Sequence, residues 1–366
     1  MGQLVPTKEF YEAHPEYFSL RDGKRISDYA QLCLSNPEVL EICKQRLSKV
    51  MRDHPGYRIY SLSQNDNFNF CQCEKCQAIE AQYGGHSGLI VWFVNQVADA
   101  VKDEFPDKYV GTFAYQYSRQ PPTGIVPREN VVIRLCSIEC CFAHPLTAGC
   151  PQNEAFMNDM RGWAEIAPHL FIWDYIVDYA QYIAPWPNFQ VLGPNIEAFR
   201  QNHAIGIFEE AQYESLGAEF EEMKAWTVNQ LLWNPIQDVD SLVQIFIDGY
   251  YGKAAPRVMD YYRLCQSLVK PDVHYGIYIN HDHEIYSDEF NQEAFDLLAE
   301  ARQLADDETI RDRVDRVRMQ PLYLYCMRHK DEAKQDGKWD ELVGLMRRYK
   351  ARHREGYPTE QFISEF

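Results

Sequence analysis

Short runs of β-branched and aromatic residues alternate with longer amphipathic segments through the first 235 residues of the chain. The short runs have the length and composition of strands, and the longer segments place apolar residues on one helical face. In the segment 88–105, for example, Val94, Ala98 and Val101 share one face. Six strands are predicted, at 31–35, 57–63, 109–115, 131–137, 170–174 and 204–208. Four helices are predicted, at 37–50, 88–105, 153–166 and 194–202.

This alternation predicts a parallel sheet with helices packed outside it, and therefore an α/β fold. A TIM-type (β/α) barrel is favoured. An open doubly wound sheet is the alternative, but no Gly-rich phosphate loop follows any strand. A closed barrel needs eight strands, whereas six are visible and none is evident before residue 31. We therefore expect a barrel that is incomplete at its N-terminus.

The pattern changes after Trp233, Asn234 and Pro235. From there to the end the periodicity is helical, apart from a Tyr-rich break at 275–286. The sequence thus predicts two domains, a barrel region at 1–235 and a helical domain at 236–366.

Charge and cysteine content exclude several classes of protein. The formal net charge of −18 argues against nucleic-acid binding, because a phosphate backbone requires a basic surface. No apolar run approaches the roughly 20 residues needed to span a bilayer, and the first residues do not form a signal peptide. The chain has 11 cysteines, an odd number, and is long enough to fold without disulfide bonds, so a complete disulfide framework is not expected.

Four predicted strands end in or just before a carboxylate. In a (β/α) barrel the carboxyl ends of the strands meet at one rim, where catalytic residues lie. The four carboxylates are Asp66, Glu139, Asp174 and Glu209. Glycoside cleavage uses carboxyl groups to protonate the leaving oxygen and to stabilise charge at the anomeric carbon. Nearby residues are predicted to contact the sugar rings, namely Tyr115, Tyr117, His144, Trp173 and Tyr175.

Cys71, Cys73 and Cys76 follow the first of these acidic segments directly. Three thiols at this spacing are compatible with a structural zinc ion, and with a compact turn of free or paired thiols. No metal or other cofactor is expected in catalysis. A fourth zinc ligand would come from Cys140, Cys141, Cys150 or His86.

Blocks of sequence between residues 8 and 235 resemble a bacterial family catalogued as domain of unknown function 4838. The blocks include His14–Phe18, Ser63–Asp66, Ile172–Tyr175 and Gly206–Glu209. The resemblance implies glycoside hydrolase family 163, endo-β-N-acetylglucosaminidases that act on complex N-glycans. It also implies a glycan or glycoprotein substrate, and a periplasmic or cell-surface location. Members of the family usually carry a long stretch before the first block, which begins here at residue 14.

Enzymes of this type resemble hydrolases that use the substrate's own acetamido oxygen as the nucleophile. One polar side chain orients that group and a neighbouring acid protonates the leaving oxygen. Asn65 and Asp66 fit this pair, and Glu139 is the rival for the acid. Asp174 and Glu209 are expected to bind the substrate beside them. Three alternatives stay open: an exo-acting hexosaminidase or α-glucuronidase-like hydrolase, a non-catalytic glycan-binding remnant of such a barrel, and a cysteine-held metalloprotein.

Overall fold

The computed structural model describes residues 1–366, with fourteen α-helices and seven strands. The strands are β1 Leu20–Arg21, β2 Lys24–Arg25, β3 Ile59–Ser61, β4 Tyr109–Ala114, β5 Val131–Cys136, β6 His169–Tyr175 and β7 Ala204–Glu210. The helices are α1 Thr7–Phe10, α2 Pro37–Asp53, α3 Glu74–Tyr83, α4 His86–Val101, α5 Pro151–Ile166, α6 Phe189–Gln201, α7 Glu221–Trp233, α8 Val239–Tyr251, α9 Ala255–Gln266, α10 Asp288–Leu304, α11 Glu308–Arg328, α12 Lys330–Gln335, α13 Lys338–Tyr349 and α14 Thr359–Glu365.

The chain forms two compact units, each made of several stretches of sequence. The first unit contains Met1–Ser137, Ala155–Asp174 and Arg200–Phe208. The second unit contains Ile138–Glu154, Tyr175–Phe199 and Glu209–Phe366. All regular structure from α8 onward is helical. The domain boundary between residues 235 and 236 stays a prediction.

Strands β3 to β7 form one sheet in which the spatial order of the strands is their order in the chain. The pairs from β3 to β6 are parallel. A doubly wound sheet would reverse its direction at a switch point, and this sheet does not. The observed form is a curled parallel half-barrel of five strands, so the α/β class is confirmed and a complete TIM barrel is not.

The strand predicted at 31–35 is wrong. Its backbone pairs with the preceding segment instead of the sheet: the Ser19 amide donates to the Gln31 carbonyl (2.9 Å) and the Cys33 amide to the Tyr17 carbonyl (2.8 Å). Only the isolated bridge between Phe18 and Leu32 has ladder geometry there. The other five predicted strands are present, with boundaries that differ by at most two residues.

The two faces of the sheet carry different side chains. On β5, Val131, Ile133 and Leu135 are almost fully buried, and α4 packs against β4 and β5. The opposite face is only partly covered and carries aromatic rings with a cation among them. The Arg134 guanidinium lies 5.1 Å from the centroid of Phe171 and 5.5 Å from that of Trp173. Burial lowers the pKa of Arg134.

All four predicted helices are present as α2, α4, α5 and α6. The start of α2 is fixed by Asn36, whose side-chain oxygen accepts from the amides of Glu38 (2.9 Å) and Val39 (3.4 Å). Helix α6 begins at Phe189, five residues before the predicted start, and continues through Pro194. No helix is both long enough and apolar enough to cross a bilayer.

Candidate active site

Polar side chains gather where the strands of the first unit end. We call residues 63–68, 115–118, 137 and 173–174 the carboxyl edge. Two buried side chains tie the segments after β3 and β4: the Ser118 hydroxyl donates to Gln64 Oε1 (2.8 Å), and Gln64 Nε2 donates to the Tyr115 carbonyl (3.2 Å). Because buried polar groups that are satisfied in this way rigidify their surroundings, the two segments are held in one arrangement.

Asp66 is the exposed carboxylate of this edge. The Tyr115 hydroxyl donates to Asp66 Oδ1 at 3.1 Å, and Gln116 Nε2 donates to the same hydroxyl at 3.0 Å. Gln116 has a φ of +50°, a left-handed conformation that few residues other than glycine adopt. Such backbone conformations cluster at functional sites. The carboxylate is therefore open to solvent and oriented by its neighbours.

Asn65 is bound to the segment before it. Its backbone amide donates to Gln31 Oε1 (2.9 Å), and its side-chain Nδ2 donates to the Ala30 carbonyl (2.7 Å). Gln31 Nε2 in turn donates to the Asn65 carbonyl (2.7 Å). These bonds anchor the loop that carries Asp66. The role predicted for Asn65 in orienting a substrate stays a prediction.

Asp174, at the end of β6, is 4% exposed and accepts a hydrogen bond from the hydroxyl of Ser137, which follows β5. Trp173 is half-buried and meets the rings of Phe113 and Phe208 edge to face, at centroid distances of 5.4 and 4.7 Å. This end of the sheet thus combines a carboxyl group inside the fold with aromatic rings at its surface.

Tyr117 lies in an aromatic group at the same edge. Its ring centroid is 5.2 Å from Phe70 and 5.3 Å from His86, whose Nδ1 is 2.6 Å from Glu80 Oε1. Burial raises the pKa of Tyr117, so its hydroxyl is neutral. A cavity of about 20 Å³ lies against these side chains and Gln64. That volume holds about one water molecule.

The remaining predicted residues belong to the second unit. Glu139 is exposed in the turn after β5, Tyr175 is buried against the rings of Phe142 and Tyr179, and Glu209 is partly buried near the end of β7. The first unit therefore brings together Asp66 with Tyr115, and Asp174 with Ser137. Convergence of all four carboxylates on one rim stays a prediction.

Two groups of thiol and imidazole side chains have the donor types that bind metals. The first contains Cys71, Cys73 and Cys76, and its fourth member is Cys33 instead of the fourth ligands that the sequence suggested. The second, which the sequence did not reveal, brings His144 together with Cys141, Cys150 and His274.

Asp178 is a further carboxyl group that the sequence did not single out. It is 1% exposed, and one of its oxygens accepts from the amides of Ala180 (2.9 Å) and Ile279 (3.3 Å). Burial raises the pKa of Asp178 well above its ordinary value, although the two amides that donate to it act in the opposite direction. Asp178 follows Asp174 by four residues, but nothing in the sequence around it indicates that it is buried.

The fold and edge define an α/β protein with an acidic, aromatic site at the carboxyl ends of its parallel strands. The chain belongs to the family described as domain of unknown function 4838, which matches residues 1–263. This confirms the resemblance to that family, while the assignment to glycoside hydrolase family 163 stays a prediction.

No curated protein matches the chain. Among solved structures it is similar to a GH138 enzyme targeting pectin rhamnogalacturonan II, with a TM-score of 0.48 and 10% sequence identity. The alignment covers 90% of this chain and 63% of the solved chain. The chain therefore spans less than two thirds of the length of that structure.

Proposed function

We propose that the protein is a glycoside hydrolase that cleaves β-linked N-acetylglucosamine, acting inside complex N-glycans by a retaining, substrate-assisted mechanism. The observation that carries the proposal is the exposed Asp66 carboxylate, oriented by Tyr115 at the carboxyl edge of a parallel half-barrel. Residues at this end of the strands carry the catalysis in enzymes built on (β/α) barrels.

Asp66 has the accessibility and the orientation that a general acid needs. It is accessible to a substrate oxygen, and the hydroxyl of Tyr115 fixes one of its oxygens while the other can face the leaving group. A positioned acid contributes about 10²–10⁴ in rate. In a substrate-assisted mechanism the acetamido oxygen is the nucleophile, so the protein needs no second carboxylate for that role. Glu139 is the rival acid.

Aromatic rings at the carboxyl edge suit a carbohydrate ligand, because their apolar faces can pack on the C–H faces of sugar rings. Phe68 is 57% exposed and lies 6.1 Å from the ring of Tyr117. The half-buried Trp173 adds a third ring at this edge. In the proposal these rings hold the sugar, and the hydrogen bond from Asn65 to the Ala30 carbonyl holds the loop of the acid.

Glycan binding without cleavage is the second candidate. It is favoured by the five-stranded sheet, whose aromatic face is only partly covered. Binding needs the rings and a polar rim, whereas cleavage needs a positioned acid as well. The two candidates therefore differ in what the loss of Asp66 does.

The test is release of glycan from a glycoprotein that carries desialylated complex N-glycans, followed by mass spectrometry. The wild type is compared with Asp66→Asn and Glu139→Gln. A released glycan that ends in a single reducing N-acetylglucosamine is expected for an endo-acting enzyme, and a free monosaccharide for an exo-acting one. Loss of release in Asp66→Asn, with glycan binding retained, supports the assignment of the acid.

Two results contradict the proposal. Full release by Asp66→Asn together with loss in Glu139→Gln transfers the acid role to Glu139. Binding of glycan by the wild type without release from any N-glycoprotein favours the binding candidate.

A further inference from the structure

The four-cysteine cluster consists of Cys33, Cys71, Cys73 and Cys76. Their four Sγ atoms lie within 4.8 Å of one another, with Cys33 Sγ at 3.6 Å from that of Cys73 and 3.9 Å from that of Cys76. A disulfide would bring two sulfurs to about 2.05 Å. Four thiolates bonded to one zinc ion at about 2.3 Å stand about 3.8 Å apart at the corners of a tetrahedron. The observed spacing is that of a metal site.

The sulfur atoms of the four-cysteine cluster have polar neighbours of the kind that surround metal-bound thiolates. The Leu20 amide donates to Cys71 Sγ at 3.4 Å, and Arg25 Nη1 donates to the same sulfur at 3.7 Å. The Ser35 hydroxyl lies 3.2 Å from Cys76 Sγ. Four thiolates around a dication carry a net charge of −2, which the Arg25 guanidinium partly offsets. Outer hydrogen bonds of this kind orient ligands in metal sites.

The cysteine–histidine cluster consists of Cys141, His144, Cys150 and His274. His144 Nδ1 lies 3.6 Å from Cys141 Sγ, and His274 Nδ1 lies 3.5 Å from Cys141 Sγ and 3.5 Å from Cys150 Sγ. A tetrahedral zinc ion with bonds of about 2.3 Å to sulfur and 2.0–2.1 Å to nitrogen separates these atoms by about 3.5 Å. The four ligand atoms therefore already have the spacing of a metal-bound set.

Contacts of His144 and Asn153 position the cysteine–histidine cluster for binding a metal. His144 Nε2 lies 3.2 Å from the Lys270 carbonyl, and donation to that oxygen leaves the Nδ1 lone pair free for a metal. Asn153 is fully buried and binds the backbone of the loop that carries Cys141 and His144. Its Oδ1 accepts from the Cys141 amide (2.8 Å), and its Nδ2 donates to the His144 carbonyl (2.9 Å).

We propose that the chain binds two structural zinc ions, one in the four-cysteine cluster and one in the cysteine–histidine cluster. Each cluster offers four protein ligands and no open position, as in structural sites and unlike catalytic ones. Thiolate and imidazole donors in tetrahedral order select zinc over calcium and magnesium, which bind oxygen.

Each ion would join distant parts of one unit. The first connects Cys33 to the 71–76 segment, whose N-terminal neighbour is the loop of Asp66. The second connects the loop after β5 to His274, more than 120 residues later. Because a metal that binds only the folded chain adds its binding free energy to folding, the loss of either ion destabilises the unit that holds it.

The zinc content of the purified chain tests the proposal directly. The full chain is produced with zinc in the medium and without a metal-affinity tag, and its zinc is counted by inductively coupled plasma mass spectrometry. The wild type is expected to hold two zinc ions per chain. The double variants Cys71→Ser/Cys76→Ser and Cys141→Ser/His274→Ala are each expected to hold one. Cys326→Ala removes a buried thiol outside both clusters and is expected to keep two.

A second readout needs no ligand variant. The wild-type chain is loaded with Co²⁺ in place of zinc, and its absorption spectrum is recorded. Tetrahedral thiolate-bound cobalt gives strong visible bands and sulfur-to-cobalt charge-transfer bands, at two equivalents per chain. A wild type without zinc and without these bands overturns the proposal, as does iron in place of zinc. A double variant that keeps two zinc ions overturns the site it was designed to remove.

Discussion

At the carboxyl edge of the first unit, Asp66 is exposed and accepts a hydrogen bond from Tyr115. In the interior of the second unit, Glu219 is 4% exposed and pairs with the equally buried Lys224 at 2.5 Å. Burial raises the pKa of Glu219, although the cation beside it acts in the opposite direction. Both regions thus hold a carboxyl group beside a donor, but only the first exposes its carboxyl group to a ligand.

This difference separates residues whose substitution should change activity from residues whose substitution should change stability. Exposed charge pairs and hydrogen bonds contribute little to folding, because water competes for both partners. Buried pairs must stay together, because each partner alone is costly. Substitutions at exposed positions of the edge should therefore change activity with little loss of stability, whereas substitutions in buried pairs should mainly reduce stability.

The largest loss of stability is expected for Lys224→Met. The change leaves the Glu219 carboxyl buried without its cation, and such losses cost about 3–5 kcal/mol in the free energy of unfolding. Urea unfolding measures the effect. The double variant Lys224→Met/Glu219→Gln is expected to recover part of the loss. Equal stability of the single variant and the wild type would show that the pair is open to water.

A pH-dependent loss of about 3 kcal/mol is expected from His353. Burial lowers the pKa of His353 to about 4, and repulsion by Arg354 and His281 adds to the shift. Below its ordinary pKa the unfolded chain gains a proton at this residue that the folded chain does not bind. Stability should therefore fall as the pH drops from about 6.5 to about 4.

The matched variant for this effect is His353→Gln, which has no titrating group. The difference in unfolding free energy between this variant and the wild type should shrink as the pH falls through that window. A difference that stays constant from about pH 7 to about pH 4 would contradict the buried, neutral state of the ring.

An intermediate loss of stability is expected for Ser137→Ala, which removes the hydroxyl that donates to the buried Asp174. Loss of a donor to a buried polar group costs about 1–3 kcal/mol. Thermal or urea unfolding measures the change. Ser137→Thr keeps a hydroxyl, and its comparison with Ser137→Ala separates the hydrogen bond from the packing.

The smallest effect on stability is expected for Tyr115→Phe, the exposed counterpart of that bond. Asp66 is solvated, so the free energy of unfolding should stay within about 0.5 kcal/mol of the wild type. Glycan release should fall, because the carboxylate loses the group that orients it. A stability loss as large as that of Ser137→Ala would remove the contrast between exposed and buried hydrogen bonds.

The sequence predicted what depends on local pattern. The run of apolar residues at Val131, Val132 and Ile133 marks β5, and the acidic strand ends mark the carboxyl edge. The failed strand at 31–35 has the right composition, but its hydrogen-bond partner is the segment at 17–19, and composition does not identify partners. The same applies to Cys33, which lies 38 residues from the nearest thiol of its cluster along the chain.

Long-range convergence was not predictable from one sequence. The position of His144 after a strand end predicts sugar contact, whereas its ring lies with Cys141 and with His274 from far along the chain. Asp178 has no local feature that distinguishes it from a surface acid, and its burial depends on the segment around Ile279. Pairs of this kind become visible only when the tertiary fold is known.

The most direct test of Asp66 as the general acid compares two substrates with different leaving groups. A natural glycan needs protonation of its leaving oxygen, whereas a 2,4-dinitrophenyl β-glycoside of the same sugar does not. For Asp66→Asn we expect glycan cleavage to fall by about 10²–10⁴ and cleavage of the dinitrophenyl substrate to stay near the wild-type rate. Equal losses on both substrates, or no loss on either, would contradict the assignment of the acid to Asp66.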